Sequence, residues 1–566
     1  WVETEQFQDK GGWVRDAQFI DIMGSQYLMA HGLGKIVSDA TTTVTLPRVG
    51  RYYVWVRTKD WIPQYEGPGK FKIGINSKVL DATFGDNGKK GWLWEAGGAV
   101  DIESKNVCIT LKDLTGFDGR CDVICLTTKN IAPSNDPNII ARDRAKASRQ
   151  PLVKNGNFDL LVAGGGVAGI CAAVRAARLG LKVALINNRP VLGGNSSSEI
   201  KVGMTGNTQI SKYPTLGHIA RQIDNFDAGT GGATALYKDD LRSDIVRREK
   251  NITLFENMNI YDTKVSRSMI KGVYAIDLLS LKINYFEANM FVDCTGDGLL
   301  ALKSGAECRY GRESFAESGE MSAPMVGDNL VMGSSNQWCS EYCDKKEPFD
   351  KKQWMFNFTE EYHFSLGASS WSWESGFANL HTYKEAEEVR DNNLRAIYSH
   401  WAYALNNIEG FDHYRLKEVM YMAGKRETYR IVGDMVLTQN DIVNKVNYED
   451  AVVTTSWGID IHYPDTINSK YFPGEEFVAY AVHPSREKDI YTIPYRCFYS
   501  KDIDNLFMAG RNISVTHIAL GTVRVQRTTA MMGEMVGIAA WLCKELKTSP
   551  RGLYQNHLNE LLEKLQ

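Results

Sequence analysis

The stretch FDLLVAGGGVAGICAAVRAARLGLKVALI, residues 158–186, decides the fold of this chain. Its apolar start at 158–163 predicts a buried strand, and the alanine-rich part at about 168–179 predicts a helix that Gly180 ends. The apolar run 182–186 predicts a second strand. A strand, a glycine-rich turn, a helix and a strand within about 30 residues form the frame in which a G-x-G-x-x-G motif binds a dinucleotide.

The glycines of this motif and the start of the helix have separate tasks. Gly164 allows the tight turn, Gly166 lets the backbone approach a pyrophosphate, and Gly169 lets the helix pack on the strand. The helix start, at Val167 and Ala168, provides the positive end of the helix dipole. In this frame the motif favours nucleotide binding over a purely structural turn.

The position that usually binds the ribose carries an amide in this chain. An acidic residue is normal just after the second strand, whereas this chain has Asn187, followed by Asn188 and Arg189. An amide can still contact a ribose hydroxyl, so we expect Asn187 to take part in cofactor binding. The change weakens the case for NAD more than the case for FAD.

Three later segments favour FAD over NAD. They are a Gly-Gly turn at 193–199 (GGNSSSE), a strand and turn at 292–298 (VDCTGDG), and a strand and turn at 505–512 (NLFMAGRN), which a predicted helix at about 528–546 follows. They resemble the segments with which flavoproteins of the two-dinucleotide-binding-domain type hold FAD, and an NAD-only dehydrogenase does not need them. The predicted cofactor-binding residues are Gly164, Gly166, Val167, Ala168, Gly169, Asn187, Asn188, Arg189, Gly193, Gly194, Asn195, Ser196, Thr295, Gly296, Gly510, Arg511, Asn512, Arg527 and Thr528.

On these motifs the chain resembles the bacterial FAD-dependent oxidoreductase family that is often found beside polysaccharide-degradation genes. It is more distantly similar to the fumarate-reductase and glutathione-reductase flavoproteins. The matching stretches are RPVLGGNSSSEI at 189–200, DCTGDG at 293–298, GRES at 311–314, GKRETYRIVGD at 424–434, IPYRCFYS at 493–500 and NLFMAGRNISVTHIALGTVRVQRTTAMMGEMVG at 505–537.

The resemblance implies FAD as cofactor and hydride transfer between the flavin and a small molecule, with a carbohydrate or a sugar acid favoured. It leaves the electron acceptor unknown. It implies an α/β FAD-binding Rossmann-like domain with an inserted substrate domain. A glycan-binding protein on a catalytically degenerate flavoprotein scaffold is the alternative, although the intact glycines argue against it.

Residues 1–130 predict an all-β sandwich domain that precedes the FAD-binding domain. Short runs at 42–46, 52–57, 71–75 and 107–111 are separated by Gly, Asn and Asp turns. Six of the thirteen tryptophans lie here, and the stretch loosely resembles the carbohydrate-binding sandwich modules of secreted bacterial enzymes. The commoner alternative is that these tryptophans fill a small core.

The composition changes at residues 131–156, which we interpret as a linker. Proline, serine, asparagine and basic residues alternate here, and 143–150 predicts one short basic helix. Residues 157–566 are then the oxidoreductase domain. We expect its FAD segments at 158–200, 290–300 and 503–545, and its inserted substrate segments at about 201–290 and 301–502.

The candidate catalytic residues are His517 and Arg524. His517 lies between the glycine turn at Gly510 and the final helix, and a histidine with a pKa of about 6.5 suits removal of a carbinol proton. We expect Arg524 to depress the pKa of His517 by like-charge repulsion. His462 and His483 are the next candidates for the base.

Other charged and aromatic residues have two interpretations. Arg524 and Arg527 could hold a carboxylate or stabilise reduced-flavin charge, or pair with Glu534 or with the linker. Arg426 and Glu427 could form an ordinary ion pair. The aromatic side chains between 330 and 415 could line a substrate cleft or fill the core of a helical insert; they are Trp338, Trp354, Phe356, Tyr362, Trp371, Trp373, Trp401 and Tyr403.

The composition excludes several classes of function. There are 65 Lys and Arg against 68 Asp and Glu, a net charge of −3, which does not fit a nucleic-acid-binding protein. No apolar run of about 18 residues predicts a membrane span. The ten cysteines include no C-x-x-C pair and no zinc-like spacing, so we expect free thiols and no metal site. The start at Trp1 and the sandwich lead us to expect a periplasmic or otherwise extracytoplasmic location, with a cytoplasmic one as the alternative.

Overall fold

The computed structural model describes residues 1–148, 151–210, 212–226, 228–363, 369–485 and 490–566. It divides into two compact units. Unit 1 comprises residues 1–150, 338–368 and 391–421, and unit 2 comprises residues 151–337, 369–390 and 422–566. Arg149 and Gln150, the end of the predicted basic helix, lie outside the described residues.

Unit 1 contains two antiparallel sheets that contribute to one core. The strands of the first sheet are Val2–Glu3, Val14–Asp16, Tyr27–Ala30, Gly50–Lys59, Trp92–Ile102 and Gly119–Thr127. Those of the second sheet are Ala40–Thr45, Phe71–Ile75, Lys78–Val79 and Asn106–Asp113. Buried side chains of both sheets, such as Val54 and Ile109, belong to the same cluster. The prediction of an all-β N-terminal part is confirmed.

The six N-terminal tryptophans, all of which the structure describes, pack within this unit. Trp13, Trp61 and Trp94 are buried, and the other three are partly buried. The indole N–H of Trp61 donates to the Phe117 carbonyl oxygen at 3.0 Å. Because none of the six is exposed, their placement favours a packing role over a glycan-stacking role.

Unit 1 extends beyond the predicted residues 1–130. It also contains strands Trp338–Tyr342 and Tyr414–Val419, which pair antiparallel. Helix Ala386–Asn407 belongs to this unit from Asp391 onward. The buried Arg120 guanidinium binds Asp391 through two hydrogen bonds of 2.9 and 2.6 Å. Hydrophobic periodicity predicts that an element has an apolar face but not which core covers that face, so the sequence did not indicate this pairing.

The segment predicted as a linker is partly regular. Helix Pro137–Ser148 begins six residues before the predicted basic helix at 143–150. Its Arg144 donates to Glu3 at 2.7 Å and to Asp122 at 2.9 Å. The first strand of unit 2, Val153–Ala163, begins before the predicted linker ends at residue 156.

Unit 2 is built on a seven-stranded sheet. Strands Val153–Ala163, Val183–Ile186, Ile252–Phe255, Ile283–Asp293 and Leu506–Met508 run parallel to one another. Strands Met258–Ser266 and Met269–Asp277 extend the sheet with antiparallel pairing. The predicted strand, turn, helix and strand at its centre are confirmed, with the helix at Val167–Arg178. Three of the seven strands lie in the range 201–290 that the sequence assigned to the substrate part, because a pattern does not reveal which sheet a strand joins.

Along the chain, the remaining elements of unit 2 lie between the strands of this sheet or after them. Its other helices are His218–Ile223, Asp239–Arg248, Leu299–Ser304, Phe315–Ser318, Gln439–Val443, Thr466–Tyr471, His517–Val523, Gln526–Glu545 and Pro550–Leu565. Its short strands are Cys308–Arg309, Ser334–Ser335, Ser369–Ser370, Glu374–Ser375, Gly424–Lys425, Arg430–Ile431, Ala451–Thr455, Ile459–Pro464, Ala479–Ser485 and Tyr491–Pro494. No helix of the described residues is long and apolar enough to span a membrane.

The two longest helices of the cofactor region pack closely because of two glycines. A Cβ on Gly533 would lie 2.1 Å from the Ala168 carbonyl oxygen, and one on Gly537 would lie 2.8 Å from that of Ala172. These glycines are four residues apart, so they lie on the same face of helix Gln526–Glu545. Helix Val167–Arg178, which follows the glycine turn, is therefore fixed by backbone contact.

Candidate functional site

The first glycine turn begins where strand Val153–Ala163 ends. Gly164 has a φ of +101°, and a Cβ there would lie 2.5 Å from the Cys294 carbonyl oxygen. A Cβ on Gly169 would lie 1.9 Å from the carbonyl oxygen of Gly164. At Gly166, by contrast, the nearest atom would be 3.9 Å away, in Gly194. Two of the motif glycines are therefore required by packing, and Gly166 borders open space.

That open space lies at an uncapped helix start. No side chain caps the helix that begins at Val167, and the preceding Gly166 is extended. The first N–H groups of a helix have no carbonyl partner within it. Such a start attracts the negative charge of a phosphate group, so the turn fits a pyrophosphate.

The second glycine turn lies directly against the first. The Gly193 N–H donates to the Gly165 carbonyl oxygen at 2.8 Å, and Gly193 forms a parallel bridge with Gly166. Gly193 and Gly194 have φ values of +119° and +59°, a region that favours glycine. Both turns therefore present backbone, without side chains, to the same space.

Arg242 supports the second turn, and the sequence did not indicate it. Its fully buried guanidinium donates to the Ser196 carbonyl oxygen at 2.9 Å and to Ser196 Oγ at 2.6 Å. Desolvation lowers the pKa of Arg242. The neighbouring Asn195 donates its amide to the Lys425 carbonyl oxygen at 2.9 Å. Nothing in the polar pattern of helix Asp239–Arg248 distinguishes this arginine from its neighbours.

The amide of Asn187 is bonded within its own loop. Its Oδ1 accepts from the Gly165 N–H at 3.2 Å, and its Nδ2 donates to the carbonyl oxygens of Arg189 and Val191 at 2.9 and 2.8 Å. A carboxylate could not donate to two carbonyl groups, which explains the amide at this position. The predicted ribose contact of Asn187 would use the second lone pair of Oδ1, because both N–H groups of the side chain are already engaged. Asn188 is exposed.

The two later cofactor segments are tied together at the carboxyl end of the sheet. Asn512 Nδ2 donates to the carbonyl oxygen and to Oδ1 of Asp293 at 3.2 and 3.0 Å. The Thr295 hydroxyl donates to Asp293 Oδ1 at 2.7 Å. Gly510, two residues before Asn512, has a φ of +118°. The sequence placed these segments near one cofactor, and the structure brings them into contact.

A partly buried ion cluster adjoins the segment at 292–298. Asp297 accepts from Lys425 Nζ and from Arg511 Nη2, each at 2.7 Å. Burial alone would raise the pKa of Asp297, but these two cations lower it to about 2. Among the described residues, Arg511 Nε and Asn512 Oδ1 are buried without a hydrogen-bond partner. Unsatisfied buried atoms beside two bare glycine turns fit a bound polar cofactor such as FAD.

Arg527 and Thr528 are bonded to other parts of unit 2. Arg527 donates to Asp224 at 2.7 Å, so its charge is neutralised by this carboxylate. The Thr528 hydroxyl lies 3.1 Å from that of Thr455. The alternative that Arg524 or Arg527 pairs with Glu534 does not hold, because Glu534 binds Arg175 at 2.7 Å.

Residues 424–430 connect the cofactor turns with the candidate catalytic residues. Lys425 binds Asp297, and Thr428 donates to the Gly296 carbonyl oxygen at 3.1 Å. Between them, Arg426 and Glu427 bind other residues and not each other. The alternative of an ordinary ion pair between Arg426 and Glu427 therefore does not hold.

His517 forms a fully buried pair with Glu427. His517 Nδ1 lies 2.8 Å from Glu427 Oε2, which also accepts from the Met332 N–H at 2.9 Å. Burial alone would raise the pKa of Glu427, but His517 and Arg430 lower it. An ionised carboxylate at Nδ1 places the ring proton there, so Nε2 of the neutral ring is an acceptor. That Nε2 is buried and has no hydrogen-bond partner among the described residues.

Two further buried residues, Arg430 and Glu313, hold this pair in place. Arg430 binds Glu427, and its Nη2 donates to Glu313 Oε1 at 2.9 Å. Glu313 Oε2 in turn accepts from the His517 backbone N–H at 3.0 Å. The histidine is thus fixed through both its ring and its backbone.

A second histidine–carboxylate pair lies beside the first. His462 Nδ1 is 2.8 Å from Glu374 Oε2, and His462 Nε2 is 3.5 Å from Asp460 Oδ1. Arg426 lies 3.4 Å from Glu374, and Arg524 Nη2 lies 3.3 Å from Asp460 Oδ2. The predicted residues Arg524 and His462 therefore belong to one cluster, to which the sequence did not assign Glu374 and Asp460.

A surface recess lies near Tyr463. Its volume is about 540 Å³, and its lining residues are Arg312, Ser314, Glu317, Met325, Val326, Gly327, Asp328 and Asn329. The Arg312 guanidinium lies 5.3 Å from the Tyr463 ring, which stacks on His517 at 6.1 Å. The described residues contain no group of His, Cys, Asp and Glu that could hold a metal ion. All ten cysteines are free, as predicted, and five of them are buried.

Parts of this chain are similar to known proteins. A curated relative, the soluble pyridine nucleotide transhydrogenase of Ectopseudomonas mendocina (strain ymp), is 40% identical over 73 residues. The match covers 12% of this chain and only 13% of that relative's length.

Solved structures that match part of this chain include a reductase-like protein and a chain of a reductase. A geranylgeranyl bacteriochlorophyll reductase-like protein from Thermoplasma acidophilum is 12% identical, with 73% of this chain and 84% of that chain covered and a TM-score of 0.32. The FrdA chain of E. coli quinol fumarate reductase is 11% identical, with 69% and 70% covered and a TM-score of 0.28.

The family model described as FAD dependent oxidoreductase matches residues 159–565, which is most of the chain and includes all the glycine turns described above. The chain therefore belongs to the FAD-dependent oxidoreductase family, and its cofactor is FAD.

Proposed function

We propose that this flavoenzyme interconverts a carbinol and a carbonyl group of a small carbohydrate or sugar acid, with His517 as the base. The observation that carries the proposal is the buried His517–Glu427 pair, in which Nε2 of the histidine is unpartnered among the described residues. A base must have a free acceptor atom within hydrogen-bond reach of the substrate proton.

The chain's own residues manage the proton. His517 Nε2 accepts the hydroxyl proton as the carbinol is oxidised, and the ionised Glu427 stabilises the resulting imidazolium. Arg430 keeps Glu427 ionised. Bound FAD supplies the group that exchanges the hydride. In the opposite direction the same Nε2 returns the proton.

Support for a carbohydrate comes from Trp371 at the edge of the histidine cluster. Its ring is 45% exposed, lies 5.3 Å from the Arg426 guanidinium and is 6.1 Å from the His462 ring. An exposed indole beside buried polar groups suits a ligand with one apolar and one polar face.

The test is the His517→Ala variant. We expect the variant to retain its bound FAD, and therefore its yellow colour. The described contacts of His517 do not include the glycine turns at 164–169 and 193–194 or the turn at Gly510. Anaerobic reduction of the flavin by the best substrate of a sugar panel should be slower by about 10²–10⁴-fold, the usual contribution of general-base catalysis.

The matched control is His557→Ala. His557 also binds a glutamate through Nδ1, Glu560 at 2.9 Å, but this pair is exposed to solvent, so the flavin of the variant should be reduced at the wild-type rate. If the flavin of His517→Ala is reduced at the wild-type rate, the histidine has only a structural role.

A further inference from the structure

Three buried polar atoms near the two histidine pairs have no hydrogen-bond partner among the described residues. They are Nε2 of His517, Oε1 of Glu374 and Nε of Arg524. His517 is fully buried and Glu374 is 1% exposed. Most buried polar groups in proteins are paired, so three unpaired atoms in one region indicate a ligand.

A continuous set of contacts joins these residues. Arg524 binds Asp460, Asp460 lies 3.5 Å from His462, and His462 binds Glu374. On the other side, Tyr463 of the same strand, Ile459–Pro464, stacks on His517.

The helix that carries His517 brings Arg524 to the same side. The two residues are seven positions apart, about two helical turns, so they face the same direction about 10 Å apart along the helix. Long side chains on such a face can converge on one ligand of a few carbon atoms.

The unpaired atoms define the ligand's hydrogen-bonding groups. His517 Nε2 is an acceptor, Glu374 Oε1 is an acceptor, and Arg524 Nε is a donor. We propose that Glu374 and Arg524 bind a second hydroxyl of the substrate, which donates to Glu374 Oε1 and accepts from Arg524 Nε. The first hydroxyl donates to His517. The ligand is then a neutral vicinal polyol, an inference that rests on the proposed function and narrows it.

A carboxylate does not suit this position. Arg426 lies 3.4 Å from Glu374, and Arg524 lies 3.3 Å from Asp460, so both cations already face a carboxylate. The free Oε1 of Glu374 would repel a second anion. Burial alone would raise the pKa of Glu374, but Arg426 and His462 lower it, which keeps the group ionised. The hydroxyl assignment therefore favours a neutral sugar over a sugar acid.

The experiment compares three probes with the same ring on the anaerobic FAD-loaded enzyme. They are trans-1,2-cyclohexanediol, cyclohexanol and cyclohexanecarboxylate, and binding is measured by titration calorimetry and by the change in the flavin absorption spectrum. The wild type should bind the diol about 10–100-fold more tightly than cyclohexanol, the usual effect of a hydrogen bond to a charged group.

Glu374→Gln should abolish this preference. His462 Nδ1 and Arg426 Nη1 both lie against the same oxygen of Glu374, Oε2, so the glutamine oxygen faces them and the NH₂ group replaces Oε1. Arg524→Lys is the second variant, which keeps the charge and removes Nε. The control is Asp434→Asn, which removes a carboxylate bound to Arg551 outside the site and should keep the wild-type preference.

Three outcomes would overturn the assignment. They are equal or undetectable binding of diol and cyclohexanol by the wild type, a diol preference that persists in both variants, and tightest binding of the carboxylate. The proposed function is tested separately. If no sugar reduces the flavin while the diol preference is present and depends on Glu374, the hydroxyl-binding site is supported and the proposed hydride transfer is contradicted.

Discussion

At the scale of single residues, Asn187 and Asp297 show where this chain departs from the usual dinucleotide-binding pattern. The usual acid after the second strand is an amide because that side chain donates to two carbonyl groups of its loop. A carboxylate appears instead at Asp297, where it pairs with both Lys425 and Arg511. The carboxylate of this region is therefore paired through contacts between residues that lie far apart in the sequence.

Asp297→Asn should lower stability at neutral pH. The folded pKa of about 2 lies below the ordinary 3.8, so the ionised group adds roughly 2 kcal/mol above the unfolded pKa, at about 1.4 kcal/mol per pKa unit. This contribution is lost as the pH falls through the folded pKa. Urea unfolding at pH 7 should separate wild type from variant, and the gap should close toward about pH 2. A gap that stays constant with pH would contradict the ion-pair explanation.

At the same scale, residues 425–427 each have a partner on a different side. Lys425 contacts the cofactor segment through Asp297, Arg426 contacts Glu374, and Glu427 contacts His517. One short segment thus orients both histidine pairs relative to the glycine turns. The sequence showed that these residues belong to a characteristic stretch but not which partner each one has.

At the scale of elements, the packing of two helices holds the cofactor turn. Helix Gln526–Glu545 approaches helix Val167–Arg178 through Gly533 and Gly537. The contact lies at Ala168, in the first turn of the helix whose start we expect to face the pyrophosphate. A shift of this pair would move the N–H groups that we expect to bind FAD.

Gly533→Ala tests this element contact. The added methyl group would lie 2.1 Å from the Ala168 carbonyl oxygen, so the helices must separate, at a cost of about 1–3 kcal/mol. We expect a lower melting temperature and a lower FAD content, measured by the ratio of flavin to protein absorbance. Gly229→Ala is the control, because a Cβ there meets no atom within 4 Å. Full FAD content in Gly533→Ala would show that the turn tolerates the shift.

At the scale of the whole molecule, the division into units differs from the order along the chain. Residues 391–421 lie in unit 1 although they follow most of the cofactor sheet in sequence. The buried pair of Arg120 and Asp391 joins positions that are 271 residues apart. Residues 1–130 contain the hydrophobic cluster of unit 1, but the carboxylate partner of their buried Arg120 lies outside this range.

Asp391→Ala should destabilise unit 1 strongly. Removing this carboxylate takes the bidentate partner from the fully buried Arg120, and breaking a buried ion pair costs about 3–5 kcal/mol. Urea denaturation followed by tryptophan fluorescence measures the loss. The control Asp412→Ala removes the exposed pair with Lys346 in the same unit and should cost about 0–1 kcal/mol. Equal stability of the two variants would refute a structural role for the buried pair.

The sequence by itself determined the cofactor part of this protein. The predicted strand, glycine turn and helix at 158–179 and the predicted helix at about 528–546 are local patterns, since turn geometry and hydrophobic period depend on neighbouring residues. These patterns predicted an α/β FAD-binding fold and FAD as cofactor, and both are confirmed.

Only the tertiary structure decided the partners of His517, His462 and Arg524, and the composition of unit 1. Glu427 lies 90 residues from His517, and Glu374 lies 88 residues from His462. No local pattern records such a pair, because a single carboxylate far along the chain looks like any other. Long-range packing brings these groups together, and their burial then gives them their hydrogen-bond geometry and their charge.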